Sequence, residues 1–285
     1  MFTLIENLDD LNFLNLELMN KSIIGVDTEF RRTSKTNMRL SLMQLNDGEE
    51  TYIIDCVLIN NPRDSCNFLF SKEVIKIFHS CKEDIEAINK WTNKGKDLIN
   101  LYDTQLANAF LGGSLSAGYQ DLVLEILDVM VDKKETRSNW MKRPLRDSQL
   151  AYAASDVEFL LELYKAQIQK LEVQQKKSWI QEELDFLVSG LTGETNESPK
   201  LSLKHKITKQ EKNSLLRECN KIVLKIANVS DLNPTLLFSK RLQKEFFELA
   251  LCSGVNGAST LLTEWRKELL FLPLSKLFFK YGFTD

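Results

Sequence analysis

The sequence lacks the long apolar segments and paired cysteines that mark several classes of protein. No stretch reaches the roughly 18 consecutive apolar residues that a membrane-spanning helix needs. The N-terminus, MFTLIENLDD, has acidic residues where a secretion signal has basic residues followed by a long apolar run. The five cysteines are scattered and form no CxxC pair, which argues against a disulfide framework and against a zinc site. We therefore expect a soluble, cytoplasmic globular protein with no membrane partner.

An overall excess of basic residues is also absent. The formal net charge is -3, whereas nucleic-acid binding often shows as a basic surplus. Two segments are nevertheless locally basic. The only charged residues between Phe30 and Asp47 are basic, and the segment from Asp132 to Arg146 contains six basic residues and two acids. Such runs form either an ordinary solvated surface or contacts to a phosphate backbone.

Apolar runs and turn residues predict a mixed α/β fold for the first part of the chain. The segments IIGVDTEF, LSLMQLNDG and ETYIIDC predict three antiparallel neighbouring strands, and the Asp-Gly pair predicts a tight hairpin between the last two. VIKIFHS predicts a further buried strand, which precedes a helix at KEDIEAINKW. Gly112 and Gly113 should end a helix at TQLANAFLG, and one long helix is expected from about Arg146 to Val188.

A polar segment divides the chain into two parts. Residues 189–206 begin SGLTGETNESPK and have the composition of a linker. Residues 207–285 carry apolar side chains at three- and four-residue spacing, which predicts amphipathic helices. The predicted organisation is therefore an α/β domain at 1–188, a linker at 189–206 and a small all-helical domain at 207–285.

Two carboxylates follow directly on one apolar strand, in the segment SIIGVDTEF. Side chains alternate along a strand, so Asp27 and Glu29 point to the same face, about 7 Å apart. Two like charges at that separation repel each other. The arrangement is tolerable either if the strand end is fully hydrated or if a divalent cation binds between the carboxylates.

Three further residues lie where they could join this pair. Asp84 falls in the first turn of a helix that follows a buried strand, a place where carboxylates also serve as ordinary caps. Tyr152 and Asp156 are four residues apart and share one helical face, a spacing that is common without any function. Together, the four carboxylates and the phenol form an oxygen cluster suited to Mg²⁺ or Mn²⁺. Two such ions about 4 Å apart could activate a water and stabilise the leaving oxygen of a phosphodiester.

The ordered motifs resemble those of ribonuclease D, in the DEDDy group of 3′-to-5′ exonucleases. GVDTEFRR resembles the first motif of the family, FHSCKEDIEAI the second and AYAASDVEFLLELY the third. The intervening segments LYDTQLANAFLG, GYQDLV and DKKETRSNWMKRPL follow in the family's order. The resemblance covers roughly Met1 to Lys177. It implies a mixed-sheet, RNase H-like 3′-5′ exonuclease domain, followed by a small all-helical region similar to a helicase-and-ribonuclease-D C-terminal (HRDC) domain.

The resemblance implies a role for each member of the cluster. Asp27 matches the ligand that bridges two divalent cations, Mg²⁺ or Mn²⁺. Glu29 and Asp156 would complete the first metal site, and Asp84 would serve the second, largely through water. Tyr152 matches the tyrosine that orients the attacking water, whose pKa the metal lowers.

The resemblance also implies contacts with the substrate. Thr28 and Phe30, which flank the acids, would face the terminal nucleotide through backbone and ring contacts. Arg32, Arg137 and Trp140 lie in segments that resemble family positions near the substrate channel. They are candidates for phosphate contact and for shaping that channel.

Two polar residues near the motifs are expected to be structural. His79 falls where the family carries a histidine in its second motif, and a neutral histidine that ends a buried strand is more often a satisfied structural group. Asp103 precedes a helix, where it should act as a cap.

The sequence departs from the family pattern in two places. It has SNW where the family usually has SDW, so Asn139 replaces an acid outside the metal set. Ribonuclease D enzymes often carry two HRDC domains, whereas residues 207–285 leave room for one, which resembles the second. The shorter C-terminal region should affect how the protein holds RNA, and it leaves the active site unchanged.

The expected function is a metal-dependent 3′-5′ exoribonuclease that hydrolyses RNA to nucleoside 5′-monophosphates. Its expected substrates are the 3′ ends of tRNA precursors or other structured RNA, and the expected state is a monomer. Two alternatives stay open. One is a 3′-5′ DNA exonuclease of the same fold, because the carboxylate cluster does not recognise the sugar. The other is a catalytically idle module that binds RNA.

Overall fold

A computed structural model describes residues 2–34, 37–62, 64–93, 97–131, 138–192 and 207–283. The chain divides into two compact units. The first comprises Met1–Ala107 with Ser116–Gly193, and the second comprises Asn108–Leu115 with Glu194–Asp285. None of the described helices is both long enough and apolar enough to cross a membrane.

In the described residues, the first unit contains a mixed sheet of six strands: β1 (Phe2–Ile5), β2 (Ile23–Arg32), β3 (Met38–Asn46), β4 (Thr51–Asp55), β5 (Ile75–Phe78) and β6 (Leu101–Asp103). Their order in the sheet is β1-β4-β3-β2-β5-β6. Strand β2 pairs antiparallel with β3, and β3 pairs antiparallel with β4, as the sequence predicts. The remaining pairs, β1 with β4, β2 with β5 and β5 with β6, are parallel.

The predicted hairpin between β3 and β4 is confirmed. Gly48 has a φ of 89°, a conformation that glycine adopts without steric cost. The Asp47 carboxylate accepts hydrogen bonds from the backbone N–H groups of Glu49 and Glu50, at 2.9 and 2.8 Å. This local bonding fixes the register of β3 against β4.

Before the third motif, the described residues form four α-helices: α1 (Leu8–Leu18), α2 (Lys82–Thr92), α3 (Thr104–Phe110) and α4 (Tyr119–Leu127). Helix α3 ends just before Gly112, whose φ of 90° confirms the predicted helix stop.

The prediction of one long helix from Arg146 to Val188 is wrong. The structure has three helices, α5 (Asp147–Glu158), α6 (Leu160–Val173) and α7 (Lys177–Thr192). The second interruption is a C-cap in which Gln175 adopts a φ of 58° and Lys176 N–H bonds to the Leu171 carbonyl at 2.9 Å. Glycine usually takes that position, so the sequence carries no visible stop signal.

The described part of the second unit contains the helices α8 (Lys209–Val229), α9 (Pro234–Phe238), α10 (Lys240–Ala258) and α11 (Glu264–Lys280). The all-helical prediction is therefore confirmed. Pro234 starts α9, and Gly254, with a φ of 75°, kinks α10. Phe246, Phe278 and Phe283 pack edge to face in the core of this unit.

The second unit also takes in a short piece of chain from the α/β part. Within Asn108–Leu115, the buried ring of Phe110 packs edge to face on Trp265, with centroids 5.2 Å apart. At the predicted linker, residues 189–192 continue α7, and residues 193–206 lie outside the described part of the chain. The domain boundaries at 188 and 207 stay a prediction.

Candidate active site

Strand β2 presents the first two carboxylates on one face of the sheet. Asp27 lies opposite Gln44 of β3, and Glu29 lies opposite Leu42. Side chains directly opposite each other on antiparallel strands project to the same face. Leu42 belongs to the apolar cluster against which α5 packs, so both acids lie on the face that α5 covers.

The pairing of β2 with β3 is irregular directly after Glu29. Glu29 pairs with Leu42 and Phe30 pairs with Leu40, which leaves Ser41 as an extra residue in β3. Such bulges bend a strand and are common beside active sites. The Ser41 hydroxyl donates a hydrogen bond to the Trp140 carbonyl, so the bulge also anchors the segment before α5.

Asp84 reaches the site because β5 is short. Strand β5 pairs with Ile23–Gly25 of β2 and ends at Phe78, and α2 begins four residues later. Asp84, in the first turn of α2, therefore lies beside the next residues of β2. The Thr28 hydroxyl donates a hydrogen bond of 2.5 Å to Asp84 Oδ1. The side chain of Thr28 thus holds Asp84. The predicted contact between the Thr28 backbone and the terminal nucleotide stays a prediction.

Helix α5 carries Tyr152 and Asp156 on one face, four residues apart. The Tyr152 hydroxyl donates a hydrogen bond to the Asp156 carboxylate. The Tyr152 ring lies beside the Trp140 ring, with centroids 6.1 Å apart. These contacts fix the phenol beside Asp156.

The four carboxyl groups are electrostatically strained. Burial, followed by repulsion from Asp84, Asp156 and Glu29, holds the pKa of Asp27 well above its usual value. Burial, with the charges of Asp156 and Asp84, raises the pKa of Glu29 to about 8. Burial raises the pKa values of Asp84 and Asp156 to about 7 each. The repulsion acting on Asp27 and Glu29 means that these groups lie close enough to form one site.

The donor chemistry of this cluster suits a hard divalent cation. Among the described residues, no three Asp, Glu, His or Cys side chains converge tightly enough to form a complete metal site. Burial is nevertheless the largest cause of the raised pKa of each of the four carboxyl groups, and repulsion from other carboxylates of the cluster adds to it at Asp27 and Glu29. A bound cation would neutralise this crowded negative charge, and oxygen donors are the ligands that Mg²⁺ and Mn²⁺ prefer.

Gln44 provides a further polar group at the same place, which the sequence reasoning missed. It is fully buried opposite Asp27, and neither polar atom of its carboxamide has a hydrogen-bond partner among the described residues. Unpaired buried polar groups cost free energy, so they need a reason. Its position in LSLMQLNDG, where it interrupts an apolar strand, is the signal that could have identified it.

The predicted substrate residues fall in different surroundings. Trp140 is 5% exposed and packs with Leu42, Ile53 and Ala153. Arg32 makes ion pairs with two acids of α2, Glu83 at 3.0 Å and Glu86 at 2.9 Å. Phe30 is partly exposed beside the bulge, and Arg137 lies outside the described residues. Their contacts with substrate stay predictions.

The structural assignments of His79 and Asp103 agree with the contacts found. The two ring nitrogens of His79 lie 2.9 Å from Thr104 Oγ1 and 3.0 Å from the Ala117 carbonyl oxygen. Asp103 accepts hydrogen bonds from the backbone N–H groups of Gln105 and Leu106 at the start of α3. Both residues are therefore occupied in holding the scaffold.

A second residue that the sequence reasoning passed over is Tyr119, in the segment GYQDLV. Its hydroxyl lies between Ser155 and Phe159, where α5 gives way to α6. The charges of Asp156 and Asp27 are among the causes that raise the pKa of Tyr119, after burial. Tyr119 therefore lies near the carboxylate cluster.

Comparison with known proteins shows the family to which this chain belongs. Residues 2–172 match the model of a protein family described as 3′-5′ exonuclease, so the chain belongs to that family. Its relatives include ribonuclease D of Pseudomonas paraeruginosa, 37% identical over 180 residues. That match covers 63% of this chain and 47% of the relative, so the chain spans about half the length of that protein.

Solved structures support the same fold. Escherichia coli RNase D, described as an exoribonuclease involved in structured RNA processing, matches with a TM-score of 0.62 and 22% identity, over 100% of this chain and 76% of that one. Brucella melitensis NrnC with bound Mg²⁺ matches with a TM-score of 0.56 and 23% identity, over 66% of this chain and 89% of that one. The predicted RNase H-like exonuclease fold, with a helical region after it, is confirmed.

Proposed function

We propose that this protein is a divalent-metal-dependent 3′-5′ exoribonuclease that releases nucleoside 5′-monophosphates from RNA. The observation that carries the proposal is the cluster of four carboxylates beside Tyr152, with Asp84 buried and the other three half-buried, in a chain that belongs to the 3′-5′ exonuclease family. The choice of RNA rests on the similarity to ribonucleases D.

Each residue of the cluster would contribute a defined part of the reaction. Asp27, Glu29, Asp84 and Asp156 would hold two Mg²⁺ or Mn²⁺ ions, which when bound lower the pKa of water and neutralise the charge of the phosphate. The Tyr152 hydroxyl, held by Asp156, would orient the water in line with the terminal phosphodiester. Thr28 would keep Asp84 in place through its hydrogen bond.

The helical unit would supply part of the grip on RNA, in the manner of an HRDC domain. A groove between α8 and α10 is lined by four basic side chains, and none of the described residues that line it is acidic. Phosphate neutralisation by such side chains supplies most of the affinity for nucleic acid without regard to sequence. The basic residues are Arg217, Lys221, Lys240 and Lys244.

The test is a time course on a 3′-extended tRNA precursor and on a DNA strand of matching sequence. Each substrate is incubated with Mn²⁺, with Mg²⁺ and with EDTA, and the products are separated by chromatography. We expect stepwise shortening of RNA to 5′-monophosphates, no cleavage in EDTA and no cleavage by Asp27→Ala protein. Asp9→Ala, at an exposed acid of α1, is the matched control and should cleave as the wild type does.

The other outcomes lead to different functions. Faster shortening of DNA than of RNA would make the protein a DNA exonuclease of the same fold. Binding of RNA without cleavage under every metal condition would make it a binding module. Cleavage by Asp27→Ala at the wild-type rate would contradict the carboxylate mechanism itself.

A further inference from the structure

The boundary between α5 and α6 contains an unusual hydrogen bond. In an uninterrupted helix, the Phe159 N–H would bond to the carbonyl of Ser155, four residues earlier. Here the Tyr119 hydroxyl lies between these two groups. It accepts a hydrogen bond from Phe159 N at 3.0 Å and donates one to Ser155 O at 3.2 Å. The same N–H also faces the Val157 carbonyl, as in a tight turn. A side chain has therefore replaced one bond of the helical ladder.

Tyr119, whose hydroxyl replaces that helical hydrogen bond, is itself held in place by its neighbours. Its ring packs edge to face on His79, with centroids 5.8 Å apart, and His79 has a partner at each ring nitrogen. The Tyr119 ring also lies against the buried side chains of Leu122, Val123 and Leu163. Its hydroxyl consequently occupies a fixed position, set by α4 and by the end of β5.

The inserted hydroxyl controls the turn of helix that carries Asp156. Phe159 has φ −108° and ψ 8°, which ends α5 two residues after Asp156. Insertion of a side chain into the helical ladder is a recognised cause of such a break. Without the hydroxyl, the Phe159 N–H can return to the Ser155 carbonyl, and α5 then continues into α6. Such closure moves the last turn of α5, and Asp156 and its partner Tyr152 move with it.

We propose that Tyr119 is a positioning residue of the active site, which fixes Asp156 by inserting its hydroxyl between Ser155 and Phe159. The effect of Tyr119 on catalysis rests on the proposed function. Its effect on the position of Asp156 rests on the hydrogen bonds to Ser155 and Phe159 alone. It extends the site beyond the three sequence motifs, to a residue of α4 that need not touch metal or substrate. A group that holds a metal ligand typically contributes 10- to 100-fold to affinity or activity.

The experiment compares Tyr119→Phe with Tyr102→Phe. The first change removes the inserted hydroxyl and keeps the ring on His79. The second removes another buried hydroxyl, which lies 3.3 Å from Gln167 Oε1 and takes no part in the α5–α6 boundary. Four quantities are measured for each protein: the melting temperature in EDTA, the rise in melting temperature with Mg²⁺, and kcat and KM on RNA.

We expect both variants to melt at a lower temperature in EDTA, because Tyr102→Phe loses a buried hydrogen bond and Tyr119→Phe loses two partly buried ones. Tyr119→Phe, but not Tyr102→Phe, should lower kcat by about 10- to 100-fold with KM little changed. It should also reduce the rise in melting temperature that Mg²⁺ produces. A crystal structure of Tyr119→Phe grown in EDTA should show Phe159 N–H bonded to the Ser155 carbonyl.

Two results would overturn the inference. One is a Tyr119→Phe protein that melts earlier but keeps the wild-type kcat and response to Mg²⁺, as the control does. The other is a structure in which the break at Phe159 persists unchanged. If the wild type neither responds to metal nor cleaves RNA, the proposed function fails instead, and the structure in EDTA still decides whether Tyr119 positions Asp156.

Discussion

The guanidinium group of Arg143 contacts both carboxylate oxygens of Asp55, with Nε 2.5 Å from Oδ2 and Nη2 2.7 Å from Oδ1. Asp55 is the last residue of β4, and its side chain is 2% exposed. Arg143 also donates a hydrogen bond of 2.6 Å to the Trp140 carbonyl. This pair therefore fixes the segment before α5 to the sheet, and it accounts for one member of the basic run that the sequence offered as a phosphate contact.

Removal of Asp55 should destabilise the fold. Asp55→Ala leaves the guanidinium of Arg143 without its buried partner, and loss of one member of such a pair costs about 3–5 kcal/mol. Urea denaturation should show a fall of that size in the free energy of unfolding. Glu172→Ala, which breaks an exposed ion pair with Lys177, is the control and should change it by less than about 1 kcal/mol. Equal losses in the two variants would contradict the anchoring role.

The metal-free protein should become less stable as the pH rises. The folded-state pKa of Glu29 is about 8, and those of Asp84 and Asp156 are about 7, all above the values of an unfolded chain. Between about pH 4 and pH 8 the folded state therefore holds more protons than the unfolded state, so stability is highest at acid pH and is lost through this range. Urea denaturation in EDTA at pH 5 and pH 8 measures the difference.

Two controls connect this pH dependence with the carboxylate cluster. Asp27→Asn removes one of the repelling charges and should raise the free energy of unfolding at pH 8. Addition of Mg²⁺ at pH 8 should raise the melting temperature of the wild type, because a ligand that binds only the folded state stabilises it. A metal-free wild type that is equally stable at both pH values would contradict the electrostatic account.

Tyr152→Phe should separate metal binding from chemistry. The variant keeps the ring beside Trp140 and loses only the hydroxyl that bonds to Asp156. We expect kcat to fall by about 10- to 100-fold, with KM and the Mg²⁺-induced rise in melting temperature close to wild type. Tyr164→Phe, on α6, is the matched control. A change in KM alone would assign Tyr152 to substrate binding.

The basic groove of the helical unit should matter for long substrates. The double variant Lys221→Glu with Lys240→Glu should raise KM for a long RNA at low salt and leave KM for a dinucleotide unchanged. Each phosphate contact that this double variant removes should reduce the slope of log affinity against log salt by about 0.7. Lys225→Glu with Lys276→Glu makes the same charge change outside the groove and serves as the control. Equal effects of the two pairs would remove the groove from the binding surface.

The placement of the four carboxylates on one strand and two helices was predictable because each lies in a short local pattern. Asp27 and Glu29 follow from the alternation along β2, and Tyr152 and Asp156 follow from helical spacing. The position of Asp84 follows from its place in the first turn of α2, directly after the short strand β5. Local periodicity is encoded in consecutive residues, so it can be recognised in one sequence without knowledge of tertiary contacts.

The remaining parts of the site depend on partners distant in the chain. Helix α5 ends at Glu158 because Tyr119, 40 residues before Phe159, bonds to the Phe159 N–H, and no glycine or proline marks that break. Arg143 pairs with Asp55, which lies 88 residues earlier in the chain, and no local sequence pattern predicts that contact. The prediction of a single long helix failed at two places: a tertiary hydrogen bond with Tyr119 interrupts the helix at the first, and a local C-cap at Gln175 interrupts it at the second.

The short stretch Asn108–Leu115 limits how the exonuclease can be produced as a fragment. A protein that ends at residue 193 would retain the four carboxylates and Tyr152, and it would contain all of the family match at residues 2–172. It would also leave the ring of Phe110 in water, because Trp265 would be missing. We expect such a fragment to aggregate through this apolar surface, and expression of the motif-bearing part alone would then understate the activity of the intact chain.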